Sequence, residues 1–123
     1  MNDNQTDTTT SLEALKNRMR SLTEERDWTQ FQSPRNISMA LVKETAELME
    51  FFMWAETEES KEVLEKRRKE IEDEVADITG YLLSFCSHYN IDITHAFLRK
   101  MKLNEEKYPL EKVKGIWTKY SDI

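Results

Sequence analysis

The sequence has few of the residues that build tight turns and cross-links. Its 123 residues include two glycines, two prolines and one cysteine, Cys86. All-β folds and glycine-rich doubly wound folds use many more glycines and prolines in their turns, so a helical protein is expected. One cysteine excludes an intrachain disulfide and a thiolate metal site. An unpaired thiol is typical of a reducing compartment, and we expect a cytoplasmic protein.

Long apolar runs and an excess of positive charge are also missing. No apolar stretch approaches the roughly 20 residues of a membrane span, and the polar start of the chain does not resemble a signal peptide. The 24 acidic and 18 basic residues give a net charge of −6, whereas a general nucleic-acid binder is basic. We therefore expect neither a membrane nor a nucleic-acid partner.

Apolar periodicity predicts four main helices joined by short connections. Thr10 and Glu13 have capping-box spacing before the first helix, and Ser33 with Pro34 marks the start of the second. The predicted helices cover, in order, about 11–27, 34–55, 60–89 and 93–107. Gly80 lies inside the third helix, where it indicates close packing.

The domain is expected to extend over residues 10–109. Residues 1–9 are polar and predicted to be disordered. Residues 110–123 form a predicted C-terminal tail, and its lysines Lys112, Lys114 and Lys119 are candidates to close over a bound anion. The expected fold is therefore an all-α four-helix bundle.

The second helix carries acids on the face that should be buried. On a wheel of about 100° per residue, Glu44 lies within about 60° of the apolar stripe. That stripe comprises Ile37, Ala40, Leu41, Leu48 and Phe51. Glu47 follows Glu44 by about one turn. Both carboxylates therefore lie within the apolar stripe rather than opposite it.

The third helix repeats this arrangement. Glu74 lies within about 60° of the apolar residues of its helix, and Asp77 follows one turn later. Those apolar residues are Ile71, Ile78, Tyr81 and Phe85. Burying an unpaired carboxylate costs several kcal/mol. A hard divalent cation relieves that cost, and an oxygen-only ligand set favours Mg²⁺, with Mn²⁺ as a substitute. Solvated surface acids are the alternative interpretation.

The two acid pairs, Glu44-x-x-Glu47 and Glu74-x-x-Asp77, resemble the signature of the MazG-like all-α nucleoside triphosphate pyrophosphohydrolases. The similarity is strongest to the dCTP pyrophosphatase-type branch and covers about residues 22–120. Further familial segments are Phe31-Gln32-Ser33-Pro34-Arg35-Asn36, Phe52-Met53-Trp54, Lys100-Met101-x-x-Asn104-x-x-x-Tyr108-Pro109 and Glu111-Lys112-x-Lys114-Gly115.

This resemblance implies a reaction and a set of site residues. Such enzymes cleave a nucleoside triphosphate between the α and β phosphates. The resemblance makes Glu44, Glu47, Glu74 and Asp77 the Mg²⁺ ligands and catalytic acids. The candidate substrate-binding residues are Trp28, Gln32, Trp54, Tyr81 and Asn104 for the base, and Arg35 and Lys100 for the phosphates. The wide apolar faces of the motif helices predict at least a homodimer, and the resemblance implies a dimer of dimers that completes the bundle.

Other functions remain open at the level of the sequence. Gln32 stands where dCTP-cleaving relatives are expected to have histidine, and Lys43 and Ala46 where they favour glycine. The same chemistry with broad, dUTP or dATP preference is therefore one alternative, and a non-catalytic helical interaction module is another. A di-metal oxygenase-type bundle is a third, because Asp92 and His95 have half of a di-iron spacing. No matching second histidine is present, so Asp92 is read as a helix cap.

Overall fold

A computed structural model describes residues 4–123 of the chain, and that part is all-α with no β-strand. Instead of four main helices it contains six α-helices. They are α1 (Leu12–Glu25), α2 (Pro34–Glu50), α3 (Thr57–Lys66), α4 (Arg68–His88), α5 (Ile93–Lys107) and α6 (Leu110–Val113). The all-α prediction is confirmed, whereas completion of the bundle by a second copy stays a prediction.

The chain divides into two compact units, one ending at Asn90 and the other comprising Ile91–Ile123. In the first unit α4 is central, and α2 and α1 make their most extensive contacts with it. Helix α3 also packs on α4. The buried side chains come from these helices and are Thr23, Ile37, Ile71, Leu83, Ser84, Cys86 and Ser87. Cys86 is thus a small core residue, as its size suggests.

Helices α2 and α4 are antiparallel. Just before α2, Gln32 Oε1 accepts a hydrogen bond of 3.1 Å from Ser84 Oγ near the end of α4. At the other end of α2, the guanidinium carbon of Arg67 lies 4.7 Å from the ring centroid of Phe51. The start of one helix therefore lies beside the end of the other, and this places the two acid pairs at the same height.

Two helix starts follow the capping signals that the sequence contains, those of α2 and α5. Ser33 caps α2, its Oγ accepting from the Asn36 amide at 3.1 Å. Asp92 caps α5 by accepting from the His95 amide at 2.8 Å, which gives Asp92 a structural role. The first helix differs from the expectation, because Ser11 rather than Thr10 is its N-cap. The Ser11 hydroxyl accepts a hydrogen bond of 3.1 Å from the Ala14 amide, so the cap lies one residue later than predicted.

Two predicted helix boundaries are wrong. Helix α2 ends at Glu50 rather than near Ala55, because the chain then changes to i→i−3 hydrogen bonds, such as Phe52 N to Met49 O. The long helix over about 60–89 is broken at Arg67, whose φ and ψ are −119° and 29°. No apolar residue occurs between Leu64 and Ile71, so the apolar pattern contained no signal for this break.

The second unit contains more structure than a tail. Residues 110–113 form α6 and Tyr120–Asp122 a 3₁₀ turn. Gly115 has a φ of 79°, a left-handed conformation that glycine adopts without strain. The Lys107 ammonium lies 5.0 Å from the Tyr120 ring centroid. Closure of this segment over a ligand stays a prediction.

The first residues of the chain are polar, and part of this segment is described by the structure. Residues 1–3 of the predicted disordered segment lie outside the described residues. Within the remainder, Thr9 donates its amide to the Thr6 carbonyl in a turn. None of the helices in residues 4–123 has the length and apolar character needed to cross a bilayer.

Candidate active site

Three of the four motif acids meet between α2 and α4. Carboxylate oxygens of Glu44, Glu74 and Asp77 all lie within 4.8 Å of one another. Glu44 and Glu74 are partly buried and Asp77 is exposed. We call these three residues the acidic cluster. Within residues 4–123 it is the one group of three or more histidine, cysteine, aspartate or glutamate side chains spaced to hold a metal ion.

The acidic cluster has shifted protonation equilibria. Burial raises the pKa of Glu74 to about 7, and hydrogen bonding to Glu44 and the nearby charge of Glu47 act in the same direction. Burial is also the main cause that raises the pKa of Glu44. The hydrogen bond to Glu47 and the negative charge of Glu47 raise this pKa further. Desolvation and like charges both disfavour the ionised carboxylates. Without a cation, Glu44 and Glu74 therefore hold a proton more tightly than an isolated glutamate does.

Glu47 lies beside the acidic cluster and not among its three members. Its Oε1 is 3.6 Å from the Lys43 ammonium, four residues earlier on α2. Its charge nevertheless raises the pKa values of both Glu44 and Glu74. Glu47 thus faces the same space, and its role as a metal ligand stays a prediction.

The acidic cluster has donor-free oxygens that a cation would satisfy. Glu44 Oε2 and Glu74 Oε2 are buried, and neither has a hydrogen-bond partner among the described residues. Buried carboxylate oxygens without donors are costly, and metal coordination is one of the few ways to satisfy them. Because all the ligands are oxygens, the set fits a hard cation such as Mg²⁺ or Mn²⁺. The residues present therefore fit the predicted metal.

An aromatic cavity of about 420 Å³ adjoins the acidic cluster. Two cluster members, Glu44 and Asp77, form part of its wall. Its other lining residues are Met19, Leu22, Thr23, Trp28, Gln32, Ala76, Gly80 and Tyr81. Three predicted substrate-binding residues, Trp28, Gln32 and Tyr81, are therefore brought together. This size is within the usual range for a small-molecule site.

Gln32 is held in a fixed orientation at the aromatic cavity. Its side-chain oxygen accepts from Ser84 Oγ at 3.1 Å, and its backbone carbonyl accepts from the Tyr89 hydroxyl. With the oxygen engaged, the amide NH₂ is the part of the side chain that can donate to a ligand. A fixed donor beside aromatic rings suits a heterocyclic base.

Helix α1 contributes cavity residues that no sequence motif marked. Met19, Leu22 and Thr23 all line the aromatic cavity. A Cβ built on Gly80 of α4 would lie 3.4 Å from Met19 Sδ, so the two helices approach closely there. The expected close packing at Gly80 was the only signal that could have placed α1 at this wall.

Four predicted substrate-binding residues are not among the lining of this cavity. Trp54, beyond the end of α2, is 89% exposed, and Arg35 is exposed in the first turn of α2. Neither lines the aromatic cavity. Lys100 and Asn104 lie on α5 in the second unit. Their roles stay predictions.

A second space borders the acids farther along the helix pair. It has a volume of about 410 Å³ and is lined by Glu47, Glu50, Phe51, Arg67 and Glu74. We call it the acidic groove. Of these lining residues, Arg67 alone is cationic. Its guanidinium is paired with Glu70 and lies over the Phe51 ring.

Fold and site together describe a helical protein whose carboxylates meet at the wall of an aromatic cavity. Comparison with known proteins gives this class a family. Residues 39–123 match the MazG-like family, and the chain belongs to that family.

Relatives with assigned names agree with this membership. The chain is 34% identical over 115 residues to dCTP pyrophosphatase 1 of Mus musculus, covering 92% of this chain and 68% of the relative. Identity to dCTP pyrophosphatase 1 of Homo sapiens is 31% over the same length. A crystal structure of a pyrophosphatase from Archaeoglobus fulgidus is 35% identical, with a TM-score of 0.77, covering 89% of this chain and 98% of that chain.

Proposed function

We propose that this protein is a Mg²⁺-dependent nucleoside triphosphate pyrophosphohydrolase that acts on dCTP or a modified dCTP. One observation carries the proposal: Glu44 and Asp77 belong both to the acidic cluster and to the wall of the aromatic cavity. A ligand whose base occupies the cavity would have its phosphates next to the carboxylates. The dCTP pyrophosphatase relatives support this substrate class.

The proposed reaction consumes one water and yields a monophosphate and pyrophosphate. Water adds to one of the two phosphorus atoms flanking the α–β bridging oxygen, and the bond from that phosphorus to the bridging oxygen breaks. The water gives up one proton, and the carboxylates of the acidic cluster lie where they can accept it. When bound, Mg²⁺ supplies neutralisation of phosphate charge and polarisation of the water. Mn²⁺ is an expected substitute.

Base recognition is assigned to the residues gathered at the aromatic cavity. Trp28 and Tyr81 offer ring faces for stacking, which is sequence-tolerant because every base has a π-face. The Gln32 amide offers a donor to the acceptor atoms of a pyrimidine edge. Asn104 and Trp54 are retained as further base contacts, on the resemblance alone.

The phosphate contacts proposed from the sequence are Arg35 and Lys100. Both are exposed cations, and each has the charge that a triphosphate requires. In the same proposal, the lysines of residues 110–123 close over the phosphates. This group of contacts rests on charge and on the resemblance, whereas the aromatic cavity residues rest on geometry.

We also propose that the protein forms a homodimer at least, and a dimer of dimers by the resemblance. Helix α2 presents an exposed apolar stripe at heptad spacing, formed by Met39, Val42, Ala46 and Met49. Helix α4 adds exposed Val75 and Leu82. A stripe of this spacing is typical of a helix that packs against another helix. Since none of the contacts among residues 4–123 buries this stripe, a second copy is the proposed partner.

The decisive experiment is a substrate panel with and without Mg²⁺. The four deoxynucleoside triphosphates and dUTP are incubated with the protein, and the products are separated by ion exchange. We expect Mg²⁺-dependent release of monophosphate and pyrophosphate, fastest from dCTP. Equal rates for dCTP and dATP would contradict the base preference. Orthophosphate as the first product would contradict the bond cleaved, and no turnover at all would favour the non-catalytic alternative.

A further inference from the structure

The acidic cluster lies between two spaces of different character. The aromatic cavity borders Glu44 and Asp77, whereas the acidic groove borders Glu47 and Glu74. Because α2 and α4 are antiparallel, higher numbers on α2 and lower numbers on α4 mark the same direction. The groove therefore continues from the cluster toward Phe51 and Arg67, away from the aromatic rings.

The aromatic cavity, the acidic cluster and the acidic groove follow one another along the helix pair, so a bound nucleotide has one favoured orientation. A base in the aromatic cavity and an α phosphate at the acidic cluster leave the β and γ phosphates to extend toward the acidic groove. Among the lining residues of that groove, Arg67 is the one that can balance their charge. We propose that Arg67 binds the β and γ phosphates of the substrate, and then the pyrophosphate product. This inference rests on the proposed function.

The distances along α4 suit this role. Arg67 is turned toward Glu70, one turn along the helix, and pairs with its carboxylate. From Glu70 to Glu74 is four residues, or about 6 Å at 1.5 Å per residue. One or two phosphoryl groups span such a gap. The guanidinium fork also matches two phosphate oxygens at once, which an ammonium cannot do.

The Arg67 side chain can leave its position beside Glu70 at a small cost in free energy. Its side chain is 51% exposed and that of Glu70 is 58% exposed, and exposed ion pairs contribute little to stability. The Phe51 ring lies 4.7 Å from the guanidinium carbon and packs against one face of the Arg67 guanidinium. The N–H groups at the edge of the guanidinium can still donate hydrogen bonds. Exchange of Glu70 for phosphate therefore needs the two hydrogen bonds to Glu70 to break and the side chain to rotate.

The chain contains a matched control at the next position. Arg68 is 52% exposed and pairs with Glu65 and Glu72, so it has the same charge, exposure and kind of partner. It does not line the acidic groove. Arg67→Ala and Arg68→Ala therefore change the net charge of the protein equally. Only Arg67→Ala removes the cation that lines the acidic groove.

The test is equilibrium binding of pyrophosphate and of dCMP in the presence of Mg²⁺, by titration calorimetry. Arg67→Ala is expected to weaken pyrophosphate binding roughly 10- to 100-fold, the effect of losing hydrogen bonds to a charged group. Binding of dCMP should be unchanged. Arg67→Lys should fall between the wild type and Arg67→Ala, and Arg68→Ala should resemble the wild type.

A purely structural role for Arg67 gives different results. Glu70→Gln also removes the ion pair but leaves the arginine free, so it should keep or improve pyrophosphate affinity. The proposal is overturned if Glu70→Gln weakens pyrophosphate binding as much as Arg67→Ala. It is also overturned if Arg67→Ala binds like the wild type, if Arg68→Ala is equally weak, or if the wild type does not bind pyrophosphate.

Failure of this inference is distinguishable from failure of the proposed function. If the wild type cleaves nucleoside triphosphates and Arg67→Ala has the same pyrophosphate affinity, only the role of Arg67 is wrong. If the wild type cleaves none of the panel, the proposed function is wrong, whatever the binding data show. Thermal unfolding of each variant checks that it is folded before binding is compared.

Discussion

The carboxylate oxygens of Glu74 on α4 and Glu44 on α2 lie within 4.8 Å of each other. Burial and this neighbour raise the pKa of Glu74 to about 7. Each also has one buried oxygen without a donor among the described residues. Two acids from different helices are thus held together at an energetic cost that a divalent cation would remove.

The first prediction concerns pH. Because the folded-state pKa of Glu74 is above its ordinary value of 4.5, its contribution to metal-free stability is present below about 4.5 and lost as pH rises through about 7. Mg²⁺ competes with that proton. Added Mg²⁺ should therefore raise the melting temperature more at pH 8 than at pH 5.5. Thermal unfolding with EDTA or Mg²⁺ at both pH values measures this, and an equal Mg²⁺ effect would contradict it.

The second prediction concerns removal of one ligand charge. Glu74→Gln should raise the melting temperature in EDTA at pH 8, because it removes like-charge repulsion, and should abolish stabilisation by Mg²⁺. Activity should fall by more than about a hundredfold, since loss of a mere outer-shell partner costs about 10- to 100-fold. Glu72→Gln, an exposed acid on the same helix paired with Arg68, is the control and should keep both properties. A Glu74→Gln variant that still responds to Mg²⁺ would exclude Glu74 as a ligand.

The third prediction concerns Gln32. Gln32→Leu keeps most of the side-chain volume but removes the amide that can donate into the aromatic cavity. We expect kcat/KM for dCTP to fall about 2- to 10-fold, the contribution of one neutral hydrogen bond. Stability should also fall by about 1 kcal/mol, because the buried Ser84 hydroxyl loses its partner.

Gln30 offers the control for this variant, since among residues 4–123 its side-chain amide donates to Asp27, at the surface. Gln30→Leu should leave kcat/KM unchanged. If Gln32→Leu loses stability but no activity, Gln32 is a structural residue and the base is recognised elsewhere. Steady-state kinetics and urea unfolding of the two variants separate these outcomes.

The fourth prediction concerns assembly. A lysine in place of Met39 or Met49 would introduce a charge into the exposed apolar stripe of α2, and burying an unpaired charge at an interface is strongly unfavourable. Each variant should sediment as a smaller species than the wild type. A wild-type chain that is monomeric at all concentrations would contradict the proposed homodimer.

Much of the helical structure could be predicted from local signals. The Ser33-Pro34 start of α2 and the Asp92 cap of α5 are observed as expected, because capping depends on residues within one turn. The end of α2 and the break at Arg67 could not be predicted, since the charged run around Arg67 is compatible with a continuous helix. The ring of Phe51 contacts Arg67 there, and this contact is tertiary.

The candidate site shows the same division. Acids within apolar stripes identified Glu44, Glu74 and Asp77, because a carboxylate among apolar residues is visible as a violation of helical periodicity. Which of the four acids meet depends on the axial register of α2 against α4, and Glu47 lies beside the group with Lys43 as its partner. The participation of α1 in the aromatic cavity likewise depends on packing, at Gly80 and Met19.

By itself, the sequence determined that this protein is helical, that two of its helices carry acids on apolar faces, and that its motifs are those of the MazG-like family. These properties depend on spacing along one helix, which the chain encodes locally. Only the tertiary structure decided that three of those acids converge at an aromatic cavity and that Arg67 lies in the groove beyond them. Such distances between helices are set by side chains far apart in the chain that pack together.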